Sequence, residues 1–386
     1  MDNQLTDISI CIMSQMRIEL KDGVPLFTGK GIFEALYISK LFKKVIFIAF
    51  DKENTFRRFR YNNGRFVLYL LPYRPSNISI RSLYKYVKNL SLIIKIFNYE
   101  NIDIIKVENI FLMGINTYLA TIFNRIPYFL WVAGPELKIA QMKKSNKTIK
   151  LIISLIYKLF AFLISKRAKV VVSISPESNE LFRSFSKNFM KIFTNFVDID
   201  LFKPFPCTIN KKHPVILYVG RLEKEKGIDL LIRTINLMEN HKIECEFWII
   251  GYGSLKNEFF DIIDNLNFVK LNLLGKKDIR ELPKYYNCAD ILVFPSLVSE
   301  GAAATVLEAM ACGVPVIGTT GPIINGITGF LVSRNSKDIF EKINILLSDP
   351  NMRSTFGKNA RIHIIKLHNK YIKILKKIYL LTKNHV

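Results

Sequence analysis

Short apolar runs alternate with longer amphipathic segments almost from one end of this sequence to the other. In the first half Ile8–Met13, Val45–Phe50, Asp103–Val107, Tyr128–Ala133 and Val170–Ile174 read as buried strands, with a helical pattern over Ile32–Phe42. The second half repeats the scheme. Strands fall at Val215–Val219, Glu246–Ile250, Val269–Leu274, Ile291–Phe294 and Val314–Gly318, and helices near Ile228–Met238, Leu255–Leu266, Ile279–Tyr286 and Ala304–Cys312. Strands this uniformly apolar need cover on both faces, and the intervening helices supply it, which is the pattern of βαβ units and a mostly parallel sheet. Between the halves, KPFPCTINKKHP over Lys203–Pro214 is polar and proline-bearing and reads as a linker. The expected fold is α/β: two doubly wound domains facing a central cleft, residues 1–203 and 204–365, with a C-terminal helix near 366–386 packing back across them. Sheets of this kind bind ligands outside the carboxyl ends of their strands.

Composition narrows the partners. The 386 residues include 56 Lys+Arg against 32 Asp+Glu, a formal charge of +24, yet 49% are hydrophobic. A disordered basic tail is excluded, and an anionic partner is implied: nucleic acid, a nucleotide-bearing substrate or an acidic membrane surface. Cys11, Cys207, Cys245, Cys288 and Cys312 are widely spaced with no CxxC pair, which predicts reduced thiols in a cytoplasmic setting rather than a disulfide framework or zinc site. Asp2 and Asp7 precede an apolar run too brief for a secretory signal. Leu151–Ile164 is 14 residues long and interrupted by Lys158; a bilayer span takes roughly 20, so none is expected.

The segment PSLVSEGAAATVLEAMACGVPVI, Pro295–Ile317, carries the most chemistry. A strand ends in a loop bearing Glu300 and Gly301; a helix carrying Glu308 follows and stops at Gly313 with Pro315 beyond, a glycine C-cap followed by proline. The free amides at that helix start, over Ala302–Thr305, suit a pyrophosphate, and three alanines let a ligand approach closely. Glu300 and Glu308 lie near the same strand end, where carboxylates can accept bonds from ribose and sugar hydroxyls. Earlier in the same half, VILYVGRLEKEKGIDLL places Arg221 and Lys226 between Gly220 and Gly227. Two cations at a strand end suit a diphosphate, Arg through its planar fork and Lys as a compact charge, although LEKEKG alone is also an ordinary charged turn. Gly251, Gly253 and Gly275 add turns at two further strand ends.

Together GRLEKEKG at 220–227, GYGSL at 251–255, the Cys288–Ser296 frame and EGAAATVLEAMACGVPVI at 300–317 resemble the retaining GT-B glycosyltransferases of family 4, the group 1 glycosyltransferases, closely over residues 165–335 and only in layout before that. The resemblance implies a GT-B fold of two Rossmann-like domains, N-terminal for the acceptor and C-terminal for a UDP- or GDP-sugar, and transfer with retained configuration, no metal and no resident cofactor. It implies catalytic roles for Arg221 and Lys226 on the donor diphosphate and for Glu300 on the donor sugar, with Glu308 on the ribose. Gly220, Gly251, Gly253, Gly275, Gly301, Ala303, Ala304 and Thr305 complete the implied donor site. Asn195 and Asp198 match the family's N-G-V-D run, with Phe196 in place of its glycine.

Three departures stand out. All five histidines lie beyond the first domain, and WVAGPEL over 131–137 has Ala133 and Gly134 where many members carry a His, leaving backbone or Glu136. GTTGPIINGITG over 318–329 is several residues shorter than the usual donor loop. Gly29-Lys30-Gly31 replaces an adjacent glycine pair. Asp198-Ile199-Asp200 is a DxD triplet outside the fold in which that triplet binds metal, and reads as a structural feature of the linker.

The positive charge is clustered. Lys138–Lys169 holds nine Lys/Arg and no acid around LIISLIYKLFAFLI, Lys52–Lys95 ten against one, and the chain after Asp349 nine against none. The first cluster fits either a surface helix at an anionic leaflet or a core helix. No nucleic-acid-binding signature is present. The expectation is therefore a glycosyltransferase acting on a lipid-linked or glycan acceptor, peripheral at the cytoplasmic membrane face. The alternatives are a catalytically inactive sugar-nucleotide or polyanion-binding protein, or another GT-B sugar-nucleotide enzyme.

Overall fold

The structure is a computed structural model and describes residues 5–26, 30–72, 80–132, 146–174, 178–192, 195–298 and 303–383. The chain forms two compact units, Met1–Ile192 with Ile372–Val386, and Phe193–Tyr371.

The first unit contains β1 (Ser9–Lys21), β2 (Val24–Leu26), α1 (Lys30–Ile38), β3 (Lys44–Asp51), β4 (Arg57–Tyr61), β5 (Phe66–Leu71), α2 (Ile80–Glu100), β6 (Ile104–Glu108), α3 (Ile115–Asn124), β7 (Tyr128–Val132), α4 (Lys147–Arg167), β8 (Val170–Ser173), α5 (Asn179–Phe185) and β9 (Phe189–Lys191). Its main sheet runs β4-β5-β3-β1-β6-β7-β8-β9. All of these pairings are parallel except β4 with β5, while β2 folds back antiparallel on β1. The order turns at β1: β3 lies on one side and β6 on the other, so the switch point falls between β1 and β6. β5 and β7 are buried along their whole length, as runs covered on both faces must be.

Two elements depart from the sequence reading. β4 is RRFRY, an edge strand that satisfies no apolar-run criterion, and β1 continues beyond Met13 through an irregular register to Lys21. α4 is the larger correction. Asn146 caps it by accepting the Thr148 and Ile149 amides, and it runs 21 residues, beyond the apolar run into lysine-bearing ends. It is not a core helix: Tyr157, Ala161, Ile164 and Ser165 are buried, whereas Leu151, Ile152, Leu155 and Leu159 are exposed. With a mean hydropathy of 1.9, it is long and apolar enough to cross a membrane by length and composition.

The second unit contains β10 (Val215–Val219), α6 (Ile228–Asn240), β11 (Cys245–Ile250), α7 (Asn257–Ile263), β12 (Val269–Gly275), α8 (Leu282–Cys288), β13 (Ile291–Phe294), α9 (Ala304–Ala311), β14 (Val316–Gly318), β15 (Gly329–Leu331), α10 (Ser336–Ser348) and the greater part of α11 (Pro350–Lys383). Its six-stranded sheet runs β12-β11-β10-β13-β14-β15, parallel throughout, with the switch point between β10 and β13. The helix expected near 366–386 is the end of α11, one element of 34 residues. Arg361 fastens it within this unit, donating to the carbonyls of Phe202, Ala311 and Ile199.

Cys207 and Cys288 form a disulfide, with Cα atoms 4.7 Å apart, contrary to the expectation of five reduced thiols. A separation of 81 positions hides the pairing in the sequence. In the fold the linker passes the end of α8, where Asn287 accepts from the Phe205 amide and donates to the Lys203 carbonyl. Cys11, Cys245 and Cys312 are free and buried. Denatured without reductant, the protein is expected to show three titratable thiols, and five after reduction. Five in both conditions would show that the bond does not form in solution.

Candidate functional site

The second unit's switch point gathers the motif loops by backbone contact. The loop after β10 closes in a short helical turn, Lys224–Lys226, and hands over to α6 through Gly227 at φ 75°. A methyl group on Gly227 would lie 1.9 Å from the Pro295 carbonyl oxygen. Side-chain-free backbone is what allows the loops after β10 and β13 to touch. They are then stitched: the Leu297 amide donates to the Glu225 carbonyl at 2.9 Å, and Ser296 Oγ to the same oxygen at 3.3 Å. On the other side of β10, a methyl on Gly251 would fall 1.8 Å from the Gly220 carbonyl oxygen, and one on Gly253 2.2 Å from that of Leu222. Glu223 secures this second seam by accepting from the Ser254 hydroxyl at 2.7 Å and its amide at 3.1 Å, bonds that hold its carboxyl below the usual range. The Gly251 amide donates to Gly275 at the end of β12.

Gly220, Arg221, Lys226, Gly251, Gly253 and Gly275 therefore stand along the carboxyl edge of β10–β12. Ala303, Ala304 and Thr305 stand at the start of α9, beyond β13. Arg221 is exposed and pairs with Glu225 at 2.7 Å. An exposed pair of this kind is worth about 0–1 kcal/mol and exchanges readily for a better anion. Ala303 occupies the N-cap of α9 and makes no side-chain cap bond to the first amides of the helix. Glu300 and Gly301 lie outside the described residues, as do Gly29, Ala133, Gly134 and Glu136.

Glu308 sits in the second turn of α9 and is only 6% exposed. It accepts a hydrogen bond from the Tyr286 hydroxyl at 2.9 Å. Burial, reinforced by the adjacent carboxylate, pushes the Tyr286 hydroxyl up, so it stays a donor. Tyr286, Glu223 and Ser296 are not singled out by the sequence, although Glu223 and Ser296 lie within its motifs, because each acts on a partner in a different element. The one signal for Tyr286 is its place beside the Cys288–Ser296 frame. Asn195 and Asp198 turn inward: Asn195 accepts from the Phe196 amide, and Asp198 from the amides of Asp200 and Leu201. Asp198 thus closes an Asx-type turn in the linker. Phe196, in the glycine position of the resembled motif, is buried against the rings of His368 and Tyr371.

Residues 202–363 match the sequence profile of the family "Glycosyl transferases group 1". The chain is 29% identical over 295 residues to the N,N'-diacetylbacillosaminyl-diphospho-undecaprenol alpha-1,3-N-acetylgalactosaminyltransferase of Campylobacter jejuni, covering 71% of this chain and 75% of that protein. Other curated glycosyltransferases, matched at 34% and 37% identity, are covered over only 41% and 40% of their own length. Among solved structures, sucrose-phosphate synthase from Thermosynechococcus elongatus superposes with a TM-score of 0.71 at 19% identity, covering 96% of this chain and 99% of that one. Anabaena HepE, in complex with UDP and glucose, gives 0.66 at 18%, covering 96% and 100%. The fold is GT-B, and the second unit carries a glycosyl transferases group 1 domain.

The two seams make a stability prediction. Gly251→Ala is expected to cost about 2–4 kcal/mol, since a left-handed backbone and a carbonyl collision both oppose it. Gly275→Ala, at φ 67° but with nothing within 4 Å of the added methyl, should cost only about 1 kcal/mol. Equal urea midpoints for the two variants would contradict the close approach.

Proposed function

We propose that this protein is a retaining, metal-independent glycosyltransferase that moves a sugar from a UDP- or GDP-sugar to a lipid-linked or glycan acceptor, peripherally at the cytoplasmic face of a membrane. The observation that carries the reading is the meeting, at one switch point, of the cation-bearing Gly220–Gly227 loop with the loop that leads into α9. In this reading Arg221 releases Glu225 and engages the donor diphosphate together with Lys226, while the first amides of α9, at Ala303, Ala304 and Thr305, take further phosphate oxygens. Glu308, oriented by Tyr286, holds the ribose hydroxyls, and Glu300 with Gly301 the donor sugar. Gly220, Gly251, Gly253 and Gly275 keep the backbone low enough for the nucleotide to lie across the strand ends. The bond from the anomeric carbon to the leaving phosphate oxygen breaks as the acceptor hydroxyl oxygen attacks, its proton passing to the departing diphosphate. The cations and amides stabilise the charge that develops on the departing diphosphate, so the reading assigns no metal and no cofactor beyond the donor itself.

The named relatives support the chemistry. One is a transferase acting on an undecaprenol-linked diphosphate, and HepE holds UDP and glucose. The membrane part rests on this chain. The exposed Leu151, Ile152, Leu155 and Leu159 of α4 lie in a stretch that has no acid between Glu136 and Glu177 and is rich in lysine. Exposed apolar side chains in a lysine-rich, acid-free stretch of sequence suit the headgroup boundary of an anionic leaflet, and nucleic acid is not a partner in this reading.

Arg221→Ala and Glu308→Gln are each expected to lower transfer of radiolabelled sugar into membrane lipid by about 100-fold or more while the protein stays folded; wild-type turnover in either removes the site assignment. Leu155→Glu with Leu159→Glu should abolish salt-sensitive co-sedimentation with phosphatidylglycerol vesicles. If the wild-type protein does not sediment with them, the peripheral location is wrong.

A further inference from the structure

The first unit has a switch point of its own, and the donor site leaves it unused. The carboxyl ends of β1 and β6 border it, and the residue that closes β6 is Glu108. Behind Glu108 lies Lys106, whose side chain is 1% exposed. Its Nζ reaches Glu34 Oε1 at 2.8 Å and Glu108 Oε1 at 3.1 Å, and stands 4.7 Å from the centre of the Trp131 ring. Those three contacts match the three N–H bonds of the ammonium. Fastening α1 to the sheet requires one carboxylate, and Glu34, 7% exposed, provides it. Glu108 is in excess of that task, leaves the cluster with a net negative charge, and is the outward member at 21% exposed.

Glu108 Oε2 has no hydrogen-bond partner among the described residues. It lies over the first turn of α1, 3.6 Å from where a methyl on Gly31 would be. The positive end of that helix is thereby already answered by an anion, so the group that docks here is a hydrogen-bond donor rather than a phosphate. The backbone beyond Glu108 is unusual: Asn109 has φ 94°, and a π-helical turn, Ile110–Gly114, follows. Strained residues and π-turns concentrate at functional sites. The Tyr379 hydroxyl, within electrostatic reach of Lys106, Glu34 and Glu108, is buried with no hydrogen-bond partner among the described residues, which a cluster built for stability alone would avoid.

We infer that Glu108 binds the acceptor: its Oε2 accepts a hydrogen bond from a neutral sugar hydroxyl, with Lys106 and Glu34 as positioning residues. This rests on the glycosyl-transfer reading above. The test compares Glu108→Gln with wild type, using a membrane extract as acceptor and whichever labelled nucleotide sugar the wild type turns over. The variant keeps the Lys106–Glu34 pair and should fold. Its kcat/KM for the acceptor is expected to fall by about 10–100-fold, the loss of one charge-assisted hydrogen bond. Hydrolysis of the donor by water, and thermal stabilisation by the nucleotide, should stay within about twofold, since neither uses the acceptor. Acceptor kinetics like wild type overturn the inference alone. So does a parallel loss of hydrolysis and nucleotide stabilisation, which marks a structural role. A wild-type protein that turns over no nucleotide sugar overturns the transfer reading and this inference with it. If Glu108→Gln does not fold, Glu108→Asp keeps the charge but withdraws it by one methylene; acceptor kinetics unchanged in that variant also refute the site.

Discussion

Backbone-to-backbone approach at the switch point of the second unit is the constraint on which the candidate site depends. Gly227 rests on the Pro295 carbonyl, and Gly251 on that of Gly220. Three loops from separate strand ends thus come within reach of one small ligand. Functional side chains on those loops need no long reach, because the strands bring them together and the glycines remove the Cβ atoms that would hold the loops apart. The seams are then closed by groups that do no chemistry of their own, Glu223 on Ser254 and Ser296 on the Glu225 carbonyl.

Electrostatics divides the molecule into regions with different tasks. Arg221 of the second unit is exposed and weakly committed, as its pair with Glu225 shows. In the first unit Lys106 is sealed under the sheet's cover between two carboxylates, where exchange with solvent ions is blocked. An exposed pair is cheap to open, and a buried one is expensive to break. The first arrangement therefore suits a site whose anion comes and goes, and the second suits a carboxylate that must point the same way in every turnover. The basic tract around α4 is a third case: exposed leucines lie in a lysine-rich stretch of sequence that contains no acid.

Most of the parallel sheets was legible in advance, because strands buried on both faces leave uninterrupted apolar runs: β3, β6, β7, β10, β11 and β13 lie where such runs predict them. The edge strand β4 was not, since RRFRY is half exposed and owes its conformation to pairing with β5. The length of α4 was hidden for a related reason: a helix continues through lysines whose heads stay in water, whereas an apolar run stops at them. In the candidate site, glycines and cations could be read from spacing, because close approach and charge are properties of single residues. Tyr286 could not, because its significance is a bond to Glu308, which lies on another helix.

From the sequence alone follow the α/β class, the strand–loop–helix setting of Glu308, the GRLEKEKG cations and the basic tracts. Each depends on neighbours in the chain, on local periodicity or on charge. Tertiary structure decided the rest: that Cys207 meets Cys288, that α4 presents leucines to solvent, that Asp198 turns onto its own backbone, and that Lys106 joins Glu34 to Glu108. The pairings among these join residues from two to 81 positions apart, and the separation does not foretell them. The long-range ones are set by the packing of elements remote in the chain, the linker against the end of α8 and α1 against β6, and the short ones by local backbone, an Asx-type turn at Asp198 and the shared face of β6 for Lys106 and Glu108.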